Sequence, residues 1–227
     1  MARRTVTVVS PTPDSADTSG DKVIYLTFDD GPGPYTEKLL NILDDYNVKV
    51  TFFVTNGNPE YRDLIGEAYR RGHTVAIHTY SHDYSDVYSS KEAYYDDLNK
   101  MQEIILEQTG ETTTLFRFPG GSSNMVSRKY CKGIMSLLTK SLEEDGYHYF
   151  DWNVSSADAG GTTETSVVVN NVINGCSGKR ASIVLQHDIK GFSVDAVAQI
   201  IEWGLRNGYT FRGLDENSPT AHHGINN

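Results

Sequence analysis

Two periodicities alternate along residues 22–215. Short apolar runs rich in β-branched and aromatic residues recur at VIYLTF (23–28), VKVTFFVT (48–55), HTVAIH (73–78), TLFRF (114–118), YHYFDWNV (147–154), ASIVLQH (181–187) and YTFRGL (209–214), and each predicts a strand. Between them lie stretches with apolar residues at helical spacing: 35–47, 61–72, 90–110, 127–146, 165–175 and 193–208. Gly72 and Gly110 stand where two of these helices should stop. The runs are continuously apolar, as strands are when helices cover both faces of a parallel sheet. About seven such strand–helix units predict an α/β fold, either a barrel or a doubly wound sheet. No composition break divides residues 22–215, which are expected to form one domain. Residues 216–227 are expected to be a C-terminal tail.

The first 21 residues differ. SPTPDSADTSGD (10–21) is polar and rich in Pro, Gly and Ser, so residues 1–21 read as a linker or tail. A linker at the very start points to a domain excised from a longer chain. MARRTVTVVS lacks the apolar run of a signal peptide, and no apolar run approaches the ~20 residues of a membrane span. The 227-residue chain carries a formal net charge of −10, which disfavours a nucleic-acid partner. Its two cysteines, Cys131 and Cys176, exclude a thiolate zinc site and a disulfide scaffold, but leave open either one bridge or two free thiols.

Polar residues gather where these strands end. The first ends in Asp29 and Asp30, the third runs into HTYSH with His78 and His82, and the fourth into FRFPGG with Arg117. The fifth leads to SSAD with Asp158, and the run 181–187 ends in His187. In a barrel of parallel strands these ends share one face, the face that holds active sites. His-x-x-x-His would set two imidazoles one helical turn apart, able to grip one metal ion. Two imidazoles and one carboxylate leave a metal position open for water. A second carboxylate beside the first can then accept a proton, and the cation offsets the repulsion within the Asp-Asp pair.

These motifs resemble those of the polysaccharide deacetylase family, the metal-dependent carbohydrate esterases. TFDDG, HTYSH, RFPGG and LQHD match four of five family motifs in order and spacing, over about residues 22–214. The resemblance implies a distorted, incomplete (β/α) barrel and a catalytic domain over 22–215. It implies that Asp30, His78 and His82 hold one divalent ion, zinc first, with cobalt, nickel or manganese able to substitute. Asp29 would be the general base and Arg117 would orient it. The backbone N–H of Gly120 would meet the oxyanion; many relatives carry Tyr there, so a substrate-facing side chain is missing. Leu185 would line the acetyl pocket. His187 would be the general acid, its pKa raised by an aspartate.

The fifth motif departs from the family pattern. The literal Asp-Trp pair is Asp151-Trp152, which would lie inside a strand. WNVSSADA (152–159) fits the spacing better, so Asp158 is expected to orient His187, and Ala159 stands where relatives have Trp. The implied reaction removes acetyl groups from N-acetylglucosamine units of a polysaccharide, peptidoglycan first. Chitin oligosaccharides and O-acetyl xylan are the alternatives, and an inactive sugar-binding module is a reading of another class. The partner is thus an acetylated polysaccharide, with no nucleic acid and no membrane span. A monomer at the cell surface or outside the cell is expected.

Overall fold

The computed structural model describes residues 21–226. The expected linker over 1–21 therefore lies, Asp21 excepted, outside the described residues. In chain order the elements are β1 (Lys22–Asp29), α1 (Thr36–Asp45), β2 (Thr51–Val54), α2 (Asp63–Arg70), β3 (Thr74–Ile77), α3 (Tyr84–Val87), α4 (Lys91–Thr109), β4 (Leu115–Phe116), α5 (Ile134–Glu144), β5 (His148–Tyr149), β6 (Val154–Ser155), α6 (Thr165–Cys176), β7 (Ala181–His187), α7 (Gly191–Val194), α8 (Val197–Arg206) and β8 (Tyr209–Phe211). The strands pair in parallel in the order β5-β4-β3-β2-β1-β7-β6. β8 pairs with the first half of β1, Lys22–Ile24, while β2 pairs with its second half. The outer strands β5 and β6 do not pair with each other. Seven parallel strands thus form a curled half-barrel, the incomplete barrel expected.

The one predicted strand over 147–154 is the main correction to the element pattern. Its first part, β5, joins β4 on one edge; its last part, β6, joins β7 on the other. Phe150–Asn153 cross the opening between the two edges, so Asp151 is not inside a strand as expected. Backbone groups stranded in that crossing need partners. Arg117 supplies two: its Nε donates to the Phe150 carbonyl (2.8 Å) and its Nη2 to that of Asp151 (3.1 Å). Two helices are also shorter than predicted. The stretch 127–133 holds only a 3-10 turn before α5, and the run 193–208 breaks between α7 and α8.

Period-two alternation sorts the strand side chains into two cores. Ile24, Leu26 and Phe28 of β1 pack outward beneath the helices, with Leu39, Leu40 and Leu43 of α1 among the facing residues. Val23 and Tyr25 face inward, with Phe53, Ala76, Leu115, Phe150 and Ile183. The inward rows continue through Thr27 to Asp29 on β1, from Ala76 to His78 after β3, from Leu115 to Arg117 after β4, and from Ile183 through Leu185 to His187 on β7. The same alternation that fills the interior therefore delivers polar groups at its C-terminal mouth. Among the described residues, no helix is long and apolar enough to cross a membrane. Cys131 and Cys176 are free thiols.

Candidate active site

The inward rows open into a cleft of about 350 Å³, lined in part by Asp29, Asp30, His78, His82, Gly120, Leu185 and His187. Arg117 and Asp158 lie behind it, hydrogen-bonded to Asp29 and His187. The structure thus brings these nine candidate residues to one place.

The two aspartates have different settings. Asp29 ends β1 on the inward row, buried, and accepts from Arg117 Nη1 at 2.6 Å. That same nitrogen donates to Thr27 Oγ1 (2.7 Å), one inward position earlier. Arg117 is itself fully buried and lies over the Phe53 ring, 4.1 Å from its centroid. Buried there, the guanidinium has Asp29 as its counter-ion. Burial raises the Asp29 carboxyl above the usual carboxylate range, against the pull of Arg117 and His187. Asp30 sits one residue beyond the strand, in the left-handed region (φ 74°) that Asp tolerates. Its neighbour Gly31 is dictated by close approach: a Cβ there would stand 2.2 Å from the Asp188 carboxylate. Gly31→Ala is expected to destabilise the fold by about 1–3 kcal/mol through overpacking. A thermal melt checks this, and an unchanged Tm would contradict it.

Asp30 Oδ1 is buried and has no hydrogen-bond partner. It lies 3.6 Å from His78 Nε2 and 3.4 Å from His82 Nε2, and ligand atoms of these three residues all fall within 4.8 Å of one another. His78 Nδ1 is 2.9 Å from the Arg117 carbonyl, which can only accept, so Nδ1 carries the proton and Nε2 offers a lone pair to the cleft. Burial lowers the His78 pKa to about 3, so the ring is neutral, as a ligand must be. An orphaned carboxylate oxygen facing an imidazole lone pair suits a cation between them. The N, N, O donor set suits zinc.

The spacing of His78 and His82 does not act through a helical turn. His78 follows β3 and His82 lies in a loop, where Thr79 (φ 99°) and His82 (φ 54°) take left-handed backbone. Such a conformation is unusual for a β-branched residue and must be held from outside. Asp97, buried on α4, does so by accepting from Tyr80 N (2.6 Å) and Ser81 N (3.1 Å). Nothing in the local motif marks Asp97, because its partners are 16 and 17 residues away. Asp97→Ala is expected to weaken metal affinity about 10–100-fold, read by zinc titration. Unchanged affinity would show that the loop needs no such support.

His187 is held from behind. Asp158 Oδ1 meets His187 Nδ1 at 2.8 Å, and Asp158 Oδ2 accepts from His187 N (2.8 Å) and Ser193 Oγ (2.7 Å). Burial acts to lower the His187 pKa, but the hydrogen bond and charge of Asp158 outweigh it, and the net direction is up. Asp151 is elsewhere. It is buried beneath the 120–123 loop, accepting from Ser122 N (2.8 Å), Ser122 Oγ (2.5 Å) and His223 N (2.8 Å). Its Trp152 neighbour nevertheless lines the cleft together with Ala159, so an indole wall is present although position 159 carries none. Tyr84 and Lys190 also line it, and neither was flagged by a motif. Burial, with Asp30 adding to it, pushes the Tyr84 phenol up to about 12.

The polysaccharide deacetylase family model matches residues 16–134. The structure is similar to that of the catalytic domain of a peptidoglycan N-acetylglucosamine deacetylase from Eubacterium rectale, with a TM-score of 0.91 and 55% identity over 96% of this chain and 99% of that one. It is also similar to a polysaccharide deacetylase from Bacillus cereus, with a TM-score of 0.76 and 32% identity over 90% and 96% of the two chains. A peptidoglycan-N-acetylglucosamine deacetylase of Bacillus cereus is 32% identical over 203 residues, 87% of this chain and 71% of the relative. With the half-barrel, the inward polar row and these likenesses together, the chain belongs to the polysaccharide deacetylase family.

Proposed function

We propose that this chain hydrolyses acetyl groups from N-acetylglucosamine units of a polysaccharide, with peptidoglycan as the polymer, and acts as a monomer at the cell envelope. The observation that carries the reading is the placement of two tuned proton carriers in one cleft: Asp29 backed by Arg117, and His187 backed by Asp158. The likeness to peptidoglycan deacetylases supports the polymer. An inactive binding module would have no use for either backing pair.

Asp30, His78 and His82 would hold a divalent ion, zinc by donor type, leaving Asp29 free. Such an ion supplies Lewis acidity toward the acetyl carbonyl and makes water a better nucleophile at neutral pH. Asp29, raised by burial, takes a proton from the attacking water, and Arg117 holds its carboxylate in one orientation. The Gly120 N–H, which donates to no acceptor among the described residues, is available to the oxygen that gains charge. Leu185 offers an apolar wall for the acetyl methyl. His187, its pKa raised by Asp158, gives a proton to the departing nitrogen.

The test is acetate release from peptidoglycan, a chitin oligomer and acetylated xylan, each assayed side by side. Release from peptidoglycan at the highest kcat/KM is expected. Preference for either of the other polymers would overturn the substrate, and no release from any would overturn the activity.

A further inference from the structure

The cleft holds one phenol whose oxygen has no work in the fold. Tyr84 opens α3, two residues after His82, and its ring is held on two sides. It meets His82 edge-on, with 5.6 Å between centroids, and Tyr88 likewise at 5.5 Å. Tyr88 is anchored in turn, its hydroxyl donating to the Pro119 carbonyl at 2.7 Å. Asp83 caps the short helix by accepting from Ser85 N at 2.8 Å. The ring is therefore packed, while the Tyr84 hydroxyl makes no hydrogen bond among the described residues and lies at the cleft.

Where that oxygen lies is specific. A Cβ built on Gly120 would stand 2.6 Å from the Tyr84 hydroxyl, closer than side chains approach. Gly120 also takes φ 74°, which favours glycine. The bare Cα at position 120 and the phenol oxygen of residue 84 are thus complementary: the hydroxyl fills the space a side chain at 120 would need. It lies beside the backbone that carries the unpartnered Gly120 N–H.

We infer that the Tyr84 hydroxyl is a second hydrogen-bond donor to the acetyl oxygen, acting beside the Gly120 N–H as that oxygen gains charge. The phenol keeps its proton and no bond is made or broken to it. A donor poised where charge develops is worth more in the transition state than in the ground state, so it should act on kcat more than on KM. The inference rests on the acetyl hydrolysis proposed above.

The test is Tyr84→Phe, which keeps the packed ring and removes only the oxygen. With a tetramer of β-1,4-linked N-acetylglucosamine as probe, kcat should fall on the order of 10²-fold while KM stays within about twofold. Zinc content and Tm should match the parent protein. A kcat within about twofold of the parent would overturn the inference and reduce Tyr84 to packing. A second variant, Gly120→Ala, puts a methyl where the hydroxyl now lies. It should lower kcat in both backgrounds, because the left-handed backbone at 120 strains any side chain, and by more in the parent, where the methyl also meets the Tyr84 oxygen. Equal losses in both backgrounds would also overturn it. Should the parent release no acetate from the tetramer or from peptidoglycan, the proposed activity falls and the donor is still tested by acetate binding. Tyr84→Phe should then weaken acetate several-fold, and equal affinity would sink the donor role.

Discussion

Asp29→Asn is expected to keep the metal and lose turnover, whereas Asp30→Asn is expected to lose the metal. An amide at position 29 cannot take a proton from water, and a general base of this kind contributes roughly 10²–10⁴-fold in kcat. The same change leaves the fully buried Arg117 without its counter-charge, so a second effect should accompany the first. Removing one partner of a buried pair costs about 3–5 kcal/mol, and Tm should drop with kcat. Asp30 carries no such pair. Its orphaned Oδ1 lies between the two imidazoles, and an amide there is a poorer ligand for a divalent cation. Zinc content measured on both variants separates the roles; an equal fall in both would refute the division of labour.

Asp158→Asn is the second large effect. His187 must be protonated to serve as acid, so the alkaline limb of the pH–rate profile follows its loss of a proton. In the parent protein Asp158 holds the His187 pKa above its ordinary value, against burial. With the charge removed, burial is left to act and the pKa falls. The imidazole is then deprotonated at lower pH, and the alkaline limb moves down in pH. The loss in kcat should be about 10–100-fold, with zinc content unchanged. Asp151→Asn is a control. Its carboxylate accepts three hydrogen bonds from the 122 and 223 segments and none from His187. It should lower Tm and leave the alkaline limb in place. A limb that moves for Asp151 and not for Asp158 would contradict the geometry.

These contrasts show which parts of the molecule a sequence can display. Apolar runs and their ends are local, so Asp29, His78, Arg117 and His187 could be set at one mouth from the sequence; which face each strand side chain takes could not, because the runs are apolar on both faces. The choice of Asp158 over Asp151 rests on motif spacing and on Asp151 lying inside a strand; the second ground fails, since Asp151 lies in the crossing, yet it is Asp158 that meets His187. What failed was the neighbourhood of Phe150–Asn153. Its residues have strand character, yet they bridge an opening whose backbone is satisfied by Arg117, a side chain 33 and 34 residues away. The His78–His82 loop was misread for the same reason: its left-handed backbone depends on Asp97 from α4. Tyr84 escaped notice because its meaning lies in an empty space at Gly120, and empty space has no letter. The last segment is a further case. His222 stacks flat on Tyr149, with 3.7 Å between centroids, and His223 meets Trp152 edge-on, contacts no periodicity in SPTAHHG announces.

The central claim is that Asp30, His78 and His82 hold the ion on which acetyl hydrolysis depends. Zinc titration into chelator-stripped protein, followed by acetate release, tests it most directly. Activity should be absent at the start and rise to a plateau at one zinc per chain. Full activity in metal-free protein would contradict the account.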